Sequence, residues 1–262
     1  MSPRDPAMLY SARFDLTGRL AMVTGASRGI GAALAFGLAE AGADIVLAAR
    51  NAEALEHMAA KVRGIGRKAH VAPLDVAAPA AIEQTFAHLI SDNLVPTILV
   101  NNAGTEEVTP SLEVTEPLWD RIVDTNLKGA FFVARAFARH LGGRPGSIVT
   151  LCSLGSEVGI PPAAAYTSSK SGVAGMTRAL AAEWASLGIR VNGLGPGYFE
   201  TEMTAGFFAD AEWRNTMLNK LPMRRFGELD DLIGATVFLC APASAYVTGQ
   251  VLYVDGGYLA SI

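Results

Sequence analysis

The sequence has little cysteine, histidine or charge. Its only cysteines, Cys152 and Cys240, lie far apart in apolar stretches, which excludes a disulfide framework and is typical of a reducing compartment. The four histidines are scattered, so no metal site is expected. Charged residues make up 18% of the chain and the formal net charge is −4. We therefore expect no nucleic-acid partner, because such proteins carry a basic field.

Long hydrophobic runs are also missing. No run approaches the ~18 apolar residues that a membrane span needs, and residues 1–13 do not resemble a signal peptide. These absences predict a cytoplasmic protein with no membrane partner. Hydrophobic residues nevertheless make up 50% of the 262 residues, enough for a large core. We predict a flexible N-terminal extension over residues 1–13 and one folded domain over residues 14–262.

Short apolar runs alternate with longer helical patterns throughout this domain. The predicted strands are Leu20–Thr24, Ile45–Ala49, His70–Leu74, Ile98–Asn101, Ser147–Cys152, Ile189–Leu194 and Val251–Val254. Strands that are apolar on both faces, with helices between them, indicate a parallel sheet covered on both sides. The predicted fold class is α/β: a single-domain doubly wound (Rossmann) seven-stranded parallel sheet with helices on both faces.

A polar and aromatic segment, residues 198–226, separates the last two predicted strands. Inserted segments of this length often cover or bind a ligand. In doubly wound sheets, ligands bind at the carboxyl ends of the strands, where this segment would lie. We predict that it is a lid; a surface helix without ligand contact is the alternative.

A glycine-rich turn follows the first predicted strand and reads Thr24-Gly25-Ala26-Ser27-Arg28-Gly29-Ile30-Gly31. Gly25 permits the tight turn, Gly29 lets the backbone approach a pyrophosphate, and Gly31 permits close helix packing. The first turn of the next helix offers free N–H groups to an anion. The spacing has two residues more than G-x-G-x-x-G after the first glycine. We predict a dinucleotide site, with a packing-only turn as the alternative.

The end of the second predicted strand indicates which dinucleotide binds. NAD enzymes usually carry an acid there, but this strand ends in Ala49 and Arg50, and Asp44 lies at its opposite end. Arg50, with Arg28 in the turn, is suited to binding a 2′-phosphate. We therefore predict NADP(H) as cofactor. NAD(H), with two ordinary surface arginines, is the alternative.

Tyr166 and Lys170 are four residues apart, so they share one face of a predicted helix. A tyrosine with its free pKa of ~10 is a poor acid–base catalyst at neutral pH. An ammonium ~4 Å away contributes about 4 kcal/mol at a dielectric of ~20, enough to bring that pKa to ~7. Ser153, at the end of the fifth predicted strand, is placed to hold a substrate oxygen. These residues predict a proton-transfer site; purely structural roles are the alternative.

Together the glycine-rich turn, Asn101-Asn102-Ala103-Gly104, Ser153, Tyr166-x-x-x-Lys170 and Pro196-Gly197 with Thr201 resemble the short-chain dehydrogenase/reductase family. The resemblance runs from about Phe14 onward. It implies that Tyr166 exchanges the proton, that Ser153 orients the substrate oxygen, and that Lys170 binds the nicotinamide ribose and lowers the Tyr166 pKa. It also implies that Asn126 holds a proton-relay water through a helix kink.

The same resemblance implies further cofactor contacts. Asp75 would contact adenine, Asn102 would line the cofactor cleft and Thr201 would meet the carboxamide. The full predicted cofactor site is Gly25, Ser27, Arg28, Gly29, Ile30, Gly31, Arg50, Asp75, Val76, Asn102, Ala103, Gly104, Tyr166, Lys170, Pro196, Gly197 and Thr201. Family members are commonly tetramers, so we expect a homotetramer with residues 251–257 at an interface.

The implied function is NADP(H)-dependent hydride transfer to a carbonyl or from a secondary alcohol of a small ketone, polyol or sugar, with Tyr166 as general acid/base. The stretches 14–18 and 251–257 resemble gluconate 5-dehydrogenase-like members. Those members tend to carry Gln and Arg after Asn-Asn-Ala-Gly, whereas Glu106 and Glu107 stand here. Because two acids repel a carboxylate, we predict a neutral substrate rather than an aldonate. A solvated acidic loop is the alternative.

Two other functions remain open. A 3-oxoacyl-[acyl-carrier-protein] reductase would share the catalytic set but needs basic residues beside the cleft. Candidates for such a basic face are Arg121, Lys128, Arg135, Arg139 and Arg144. A non-catalytic dinucleotide-binding regulator is the other alternative, although no motif supports it. Substrate-pocket residues are predicted to include Leu154, Glu157, Ile160, Tyr198, Phe199 and Met203.

Overall fold

A computed structural model describes residues 11–262, so most of the predicted N-terminal extension lies outside the described residues. Its strands are β1 (Leu20–Thr24), β2 (Asp44–Ala49), β3 (Ala69–Pro73), β4 (Ile98–Asn101), β5 (Gly146–Leu151), β6 (Ile189–Pro196) and β7 (Val251–Val254). They form one seven-stranded sheet in the order β3-β2-β1-β4-β5-β6-β7. Every neighbouring pair is parallel. The predicted fold class is confirmed.

Helices follow the strands along the chain and cover both faces of this sheet. They are α1 (Gly29–Glu40), α2 (Ala52–Gly64), α3 (Pro79–Ser91), α4 (Glu116–Val123), α5 (Ala130–His140), α6 (Ala164–Trp184), α7 (Ala205–Phe208), α8 (Ala211–Lys220) and α9 (Ile233–Cys240). The predicted lid contains α7 and α8. None of the helices in residues 11–262 is long and apolar enough to cross a membrane.

The core consists of one apolar layer on each face of the sheet. Side chains alternate along a strand, so Val23 joins the layer under α1 and α2, and Met22 joins the layer under α3, α5 and α6. Leu38 is fully buried in the first layer and Phe137 in the second. Because both faces are covered, the interior strands are apolar at most positions, which explains the nearly continuous runs in the sequence.

The strand order reverses direction beside β1. The chain runs from β1 outward to β3 and then crosses to β4, so the connections that leave β1 and β4 diverge at their carboxyl ends. Such a switch point opens a crevice where ligands bind. Thr24 joins the two strands there: its hydroxyl accepts hydrogen bonds from the amides of Asn102 and Ala103, each at 3.0 Å.

The helical segment between β4 and β5 is interrupted. A π-helical turn, Asp124–Gly129, separates α4 from α5. A Cβ atom on Gly129 would lie 2.6 Å from the carbonyl oxygen of Val76, so this turn passes directly against the connection that follows β3. Such wide turns accommodate one extra residue and often occur at functional sites.

Candidate active site

A cleft of about 750 Å³ opens at the carboxyl ends of the central strands. All the residues predicted to bind the cofactor line it: Gly25, Ser27 to Gly31, Arg50, Asp75, Val76, Asn102 to Gly104, Tyr166, Lys170, Pro196, Gly197 and Thr201. Ser153 lines it as well. The structure therefore brings the predicted dinucleotide and proton-transfer residues into one cavity, while their individual roles remain predictions.

The glycine-rich turn forms a smooth cradle at one end of the cleft. A Cβ atom on Gly31 would lie 2.2 Å from the carbonyl oxygen of Gly25 and 2.4 Å from Nδ2 of Asn102, so only glycine lets α1 pack this closely. Gly29 adopts a φ of 54°, in the region that favours glycine. The N-cap residue Arg28 makes no side-chain capping bond, which leaves the first amides of α1 available to a phosphate.

Two arginines lie at this phosphate end. Arg50 is exposed, and no hydrogen bond or ion pair joins it to the rest of residues 11–262. Arg28 pairs with Glu202 of the predicted lid at 2.5 Å. Asp44, at the other end of β2, pairs with Arg67 at 3.0 Å, away from the cleft. The arrangement thus offers cations and no acid at the end of β2, as predicted.

The catalytic candidates meet where β5 ends and α6 begins. Lys170 is 5% exposed, and its Nζ donates a hydrogen bond to the carbonyl oxygen of Leu151 at 2.7 Å. Nζ lies 5.7 Å from the centroid of the Tyr166 ring. Ser153 lies just beyond the strand that it was predicted to close, and its Oγ accepts a hydrogen bond from Gly155 at 3.2 Å. A hydrogen bond with Ser153 also favours the phenolate and opposes the rise in the Tyr166 pKa.

The electrostatics correct one prediction. Burial raises the pKa of Tyr166 above its ordinary value, and the negative charge of Glu106 raises it further. Burial also lowers the pKa of Lys170 to about 8. We predicted that Lys170 lowers the Tyr166 pKa, but the net direction is the opposite. Desolvation of the phenolate dominates, and the ammonium donates a hydrogen bond to the Leu151 carbonyl.

Asn126 is buried and, unlike the other three catalytic candidates, does not line the cleft. Its Oδ1 accepts a hydrogen bond from the Thr105 amide at 2.7 Å. Its Nδ2 donates to the Thr105 carbonyl at 2.9 Å and to Ser169 Oγ at 3.1 Å. The side chain therefore holds the loop that follows β4. The kink invoked for it exists as the π turn, and its part in a proton relay stays a prediction.

The two acids of that loop occupy different positions. Glu106 lines the cleft, and burial raises its pKa while Lys170 opposes the rise. Glu107 is exposed and pairs with Arg121. Glu107 therefore does not line the cleft itself, although its partner Arg121 does.

Some of the predicted substrate-pocket residues line the cleft and others do not. Phe199 and Met203 line the cleft, but the other four do not. Tyr198 lines a second cavity of about 170 Å³. Glu157 accepts a hydrogen bond from the Tyr253 hydroxyl at 2.8 Å. Leu154 and Ile160 also lie outside the cleft lining, and Leu154 is buried.

The predicted basic face is largely neutralised. Each of its four helical cations has an acidic partner: Arg121 with Glu107, Lys128 with Asp124, and both Arg135 and Arg139 with Glu83. Such a surface is poorly suited to steering an acidic carrier protein. The carrier-protein alternative is therefore not favoured.

Several residues at the site were not predicted. Thr24, Ser169 and Glu202 make the contacts described above, while Thr125 and Cys152 line the cleft. Thr24 carried a signal in the sequence, because a polar residue ending an apolar strand needs a hydrogen-bonding partner. The contacts of the others depend on residues that only the fold brings near.

A doubly wound sheet whose cleft joins a dinucleotide-type turn to a tyrosine–lysine pair defines an oxidoreductase. A family model described as enoyl-(acyl carrier protein) reductase matches residues 25–259. The chain belongs to the short-chain dehydrogenase/reductase family.

Known relatives span nearly the whole chain. Gluconate 5-dehydrogenase of Gluconobacter oxydans (strain 621H) is 43% identical over 97% of this chain and 100% of its own. Galactitol 2-dehydrogenase (L-tagatose-forming) of Cereibacter sphaeroides is 40% identical over 96% and 99%. The crystal structure of a gluconate 5-dehydrogenase from Burkholderia cenocepacia J2315 in complex with NADP and tartrate is 40% identical, with a TM-score of 0.94 and coverage of 97% and 100%.

Proposed function

We propose that this protein is an NADP(H)-dependent oxidoreductase that interconverts a secondary alcohol and a ketone on a polyhydroxylated substrate. The observation that carries the proposal is the presence of Ser153, Tyr166 and Lys170 in the same cleft as the glycine cradle and Arg50. The relatives support it, because their names describe dehydrogenases of a sugar acid and of a sugar alcohol.

The cleft fits a phosphorylated dinucleotide. The uncapped amides of α1 and the glycine cradle suit its pyrophosphate, and Arg50 suits a 2′-phosphate because a guanidinium binds phosphate with a fork of donors. Asp75 would contact adenine and Thr201 the carboxamide, as predicted. When bound, the nicotinamide supplies or takes up the hydride at the reacting carbon.

Proton transfer falls to Tyr166. In reduction the phenol donates its proton to the oxygen of the new alcohol, and in oxidation the phenolate takes that proton back. Ser153 would donate a hydrogen bond to the same oxygen. The raised pKa keeps Tyr166 protonated at neutral pH, which is the form that reduction requires. Lys170, with a pKa of about 8, remains mainly cationic there and would hold the nicotinamide ribose.

The remaining predictions belong to the same proposal. Residues 198–226 would cover the cleft, since Phe199, Thr201 and Met203 of this segment line it. A homotetramer is supported by β7, an edge strand of the sheet on which Leu252 is 38% exposed. The buried, unpaired cysteines Cys152 and Cys240 agree with a cytoplasmic location.

A substrate survey tests this proposal. The purified protein is assayed for oxidation of polyols and sugar acids, and for reduction of ketoses and keto acids, with NADP(H) and NAD(H) side by side. We expect turnover with NADP(H) at a kcat/KM at least about 10-fold above that with NAD(H), the effect of one charge-assisted contact. Stoichiometric NADPH binding without any turnover would instead support a dinucleotide-binding regulator.

A further inference from the structure

The charged side chains that line the cleft are almost all partnered. Within residues 11–262 the cleft-lining charges are Arg28, Arg50, Asp75, Glu106, Arg121, Lys170 and Glu202. Two ion pairs, Arg28–Glu202 and Arg121–Glu107, account for three of them. Lys170 is hydrogen-bonded to the Leu151 carbonyl, and Asp75 accepts a hydrogen bond from the Ala77 amide. Arg50 and Glu106 remain.

These two residues differ in what they face. Arg50 is an exposed cation for which the proposed function already supplies a phosphate. Glu106 is half-buried, and neither a donor nor a cation in the described part of the chain bonds to its carboxylate. A desolvated carboxylate without a partner is unfavourable, and an ionised carboxylate can only accept hydrogen bonds. The Glu106 carboxylate is therefore placed to accept a hydrogen bond from a ligand.

The loop holds Glu106 beside the proton-transfer residues. Thr105, the residue before Glu106, is hydrogen-bonded to the Asn126 side chain through both its backbone amide and its carbonyl. One residue earlier, a Cβ atom on Gly104 would lie 3.7 Å from the Lys170 Nζ, so the loop passes close to the ammonium. The charge of Glu106 acts on both Tyr166 and Lys170: it raises the pKa of Tyr166 and opposes the fall in the pKa of Lys170. Glu106 is thus at the substrate end of the cleft.

We propose that Glu106 is a specificity-determining residue whose carboxylate accepts a hydrogen bond from a hydroxyl of the substrate and repels a substrate carboxylate. The inference rests on the proposed function and narrows its substrate class to neutral polyols and ketoses. Lys170 offsets part of the Glu106 charge, but within the described residues its ammonium is already bonded to the Leu151 carbonyl and Arg121 is paired with Glu107, so neither cation is free to pair with a substrate carboxylate. Like charges brought together in a pocket disfavour the wrong ligand.

D-Glucitol and D-gluconate provide a matched pair of probes, because they differ only in a terminal hydroxymethyl or carboxylate group. For the unmodified protein with NADP⁺ we expect kcat/KM for D-glucitol to exceed that for D-gluconate by about 10-fold or more, mainly through KM. Glu106→Gln keeps the size of the side chain and removes its charge. It should narrow the ratio at least about 10-fold, since hydrogen bonds to charged groups are the stronger ones.

The control is Glu113→Gln, because Glu113 is an exposed acid on the same connection between β4 and α4 that does not line the cleft. This variant should keep the ratio of the unmodified protein. A preference of the unmodified protein for D-gluconate, or a ratio unchanged by Glu106→Gln, would overturn the assignment of Glu106 while leaving the proposed function intact.

Ionic strength provides a second measurement on the unmodified protein, which decides the matter should Glu106→Gln fail to fold. Salt screens repulsion between charges, so the KM for D-gluconate should fall as NaCl is added while the KM for D-glucitol stays constant. Parallel responses of the two KM values would refute the repulsion. No turnover of any polyol, sugar acid or ketone by protein that binds NADPH would refute the proposed function itself.

Discussion

The two ends of the cleft are built differently. At the phosphate end, backbone amides and glycines form the surface, and Arg50 stands exposed beside them. At the substrate end, the lining consists of partly or fully buried side chains: Ser153, Tyr166, Lys170 and Glu106. The backbone geometry of the phosphate end requires glycines at fixed spacings, which can be recognised in the sequence. Burial sets the protonation of the substrate end, so its chemistry depends on the fold.

Tyr166→Phe gives the largest expected separation of the two ends. Removing the phenolic proton donor should lower kcat roughly 10³-fold, within the range typical of general acid catalysis. NADPH affinity, measured by fluorescence titration, should change less than about 2-fold because the charge-assisted phosphate contacts remain. Tyr246→Phe, at a fully exposed tyrosine, should change neither quantity. A Tyr166→Phe variant with nearly normal turnover would exclude Tyr166 as the acid.

Lys170→Met tests the burial of charge at the substrate end. The pKa of Lys170 is lowered from 10.5 to about 8, so between these pH values the unfolded chain binds more protons. The contribution of Lys170 to the free energy of unfolding should therefore rise with pH across this window. One pKa unit corresponds to about 1.4 kcal/mol, so the contribution approaches about 3 kcal/mol.

Urea unfolding at several pH values between about 7 and 10 measures this contribution. Above about pH 9 the raised pKa values of Cys152 and Cys240 act in the opposite direction, and above pH 10 that of Tyr166 does so as well. Both proteins share these groups, so the unmodified protein should gain stability relative to Lys170→Met as the pH rises across the window. Equal slopes for the two proteins would mean that the ammonium is not desolvated as the structure indicates.

Arg50→Ala should affect only the phosphate end. Losing a charge-assisted contact to the 2′-phosphate should raise the KM for NADPH about 10- to 30-fold. The KM for NADH should stay unchanged, since NADH lacks this phosphate. Lys61→Ala, at an exposed cation on α2 outside the cleft, controls for a general loss of positive charge. Equal losses with NADPH and NADH would contradict the phosphate role.

Glu202→Gln should produce the smallest effect. Glu202 pairs with Arg28, and both side chains are largely exposed, so the pair itself contributes little to stability. Releasing Arg28 should lower the KM for NADPH about 2- to 4-fold, the scale of such a pair. Steady-state kinetics with NADPH and NADH would show this change for NADPH alone. An increased KM for NADPH would indicate that Glu202 assists the cofactor rather than competing with it.

The sequence predicts the sheet well because its strands are covered on both faces. The bounds of β1, β4 and β7 match those predicted, and β5 ends one residue earlier than expected, at Leu151. The π turn was not predicted from the hydrophobic pattern. Its position was available only as a kink implied by the family resemblance.

Interactions between distant residues account for most of what was missed at the site. Arg28 and Glu202 are 174 residues apart in the chain, and Glu107 meets Arg121 across 14 residues. No local pattern indicates such partners, because the fold alone brings them into contact. The direction of the Tyr166 pKa was missed for a related reason: desolvation depends on every group packed around the phenol.

The π turn at Asp124–Gly129 also sets the direction in which the side chains of α5 point relative to those of α4. Each residue of an α-helix advances the side chain by about 100°, so one extra residue turns all that follows by that angle. Arg121, before the turn, faces the cleft, whereas Val133 and Phe137, after it, face the sheet. The helical segment on one side of the π turn thereby lines a binding cavity, and the one on the other side closes a core. Shortening the turn by one residue would force these two segments out of register.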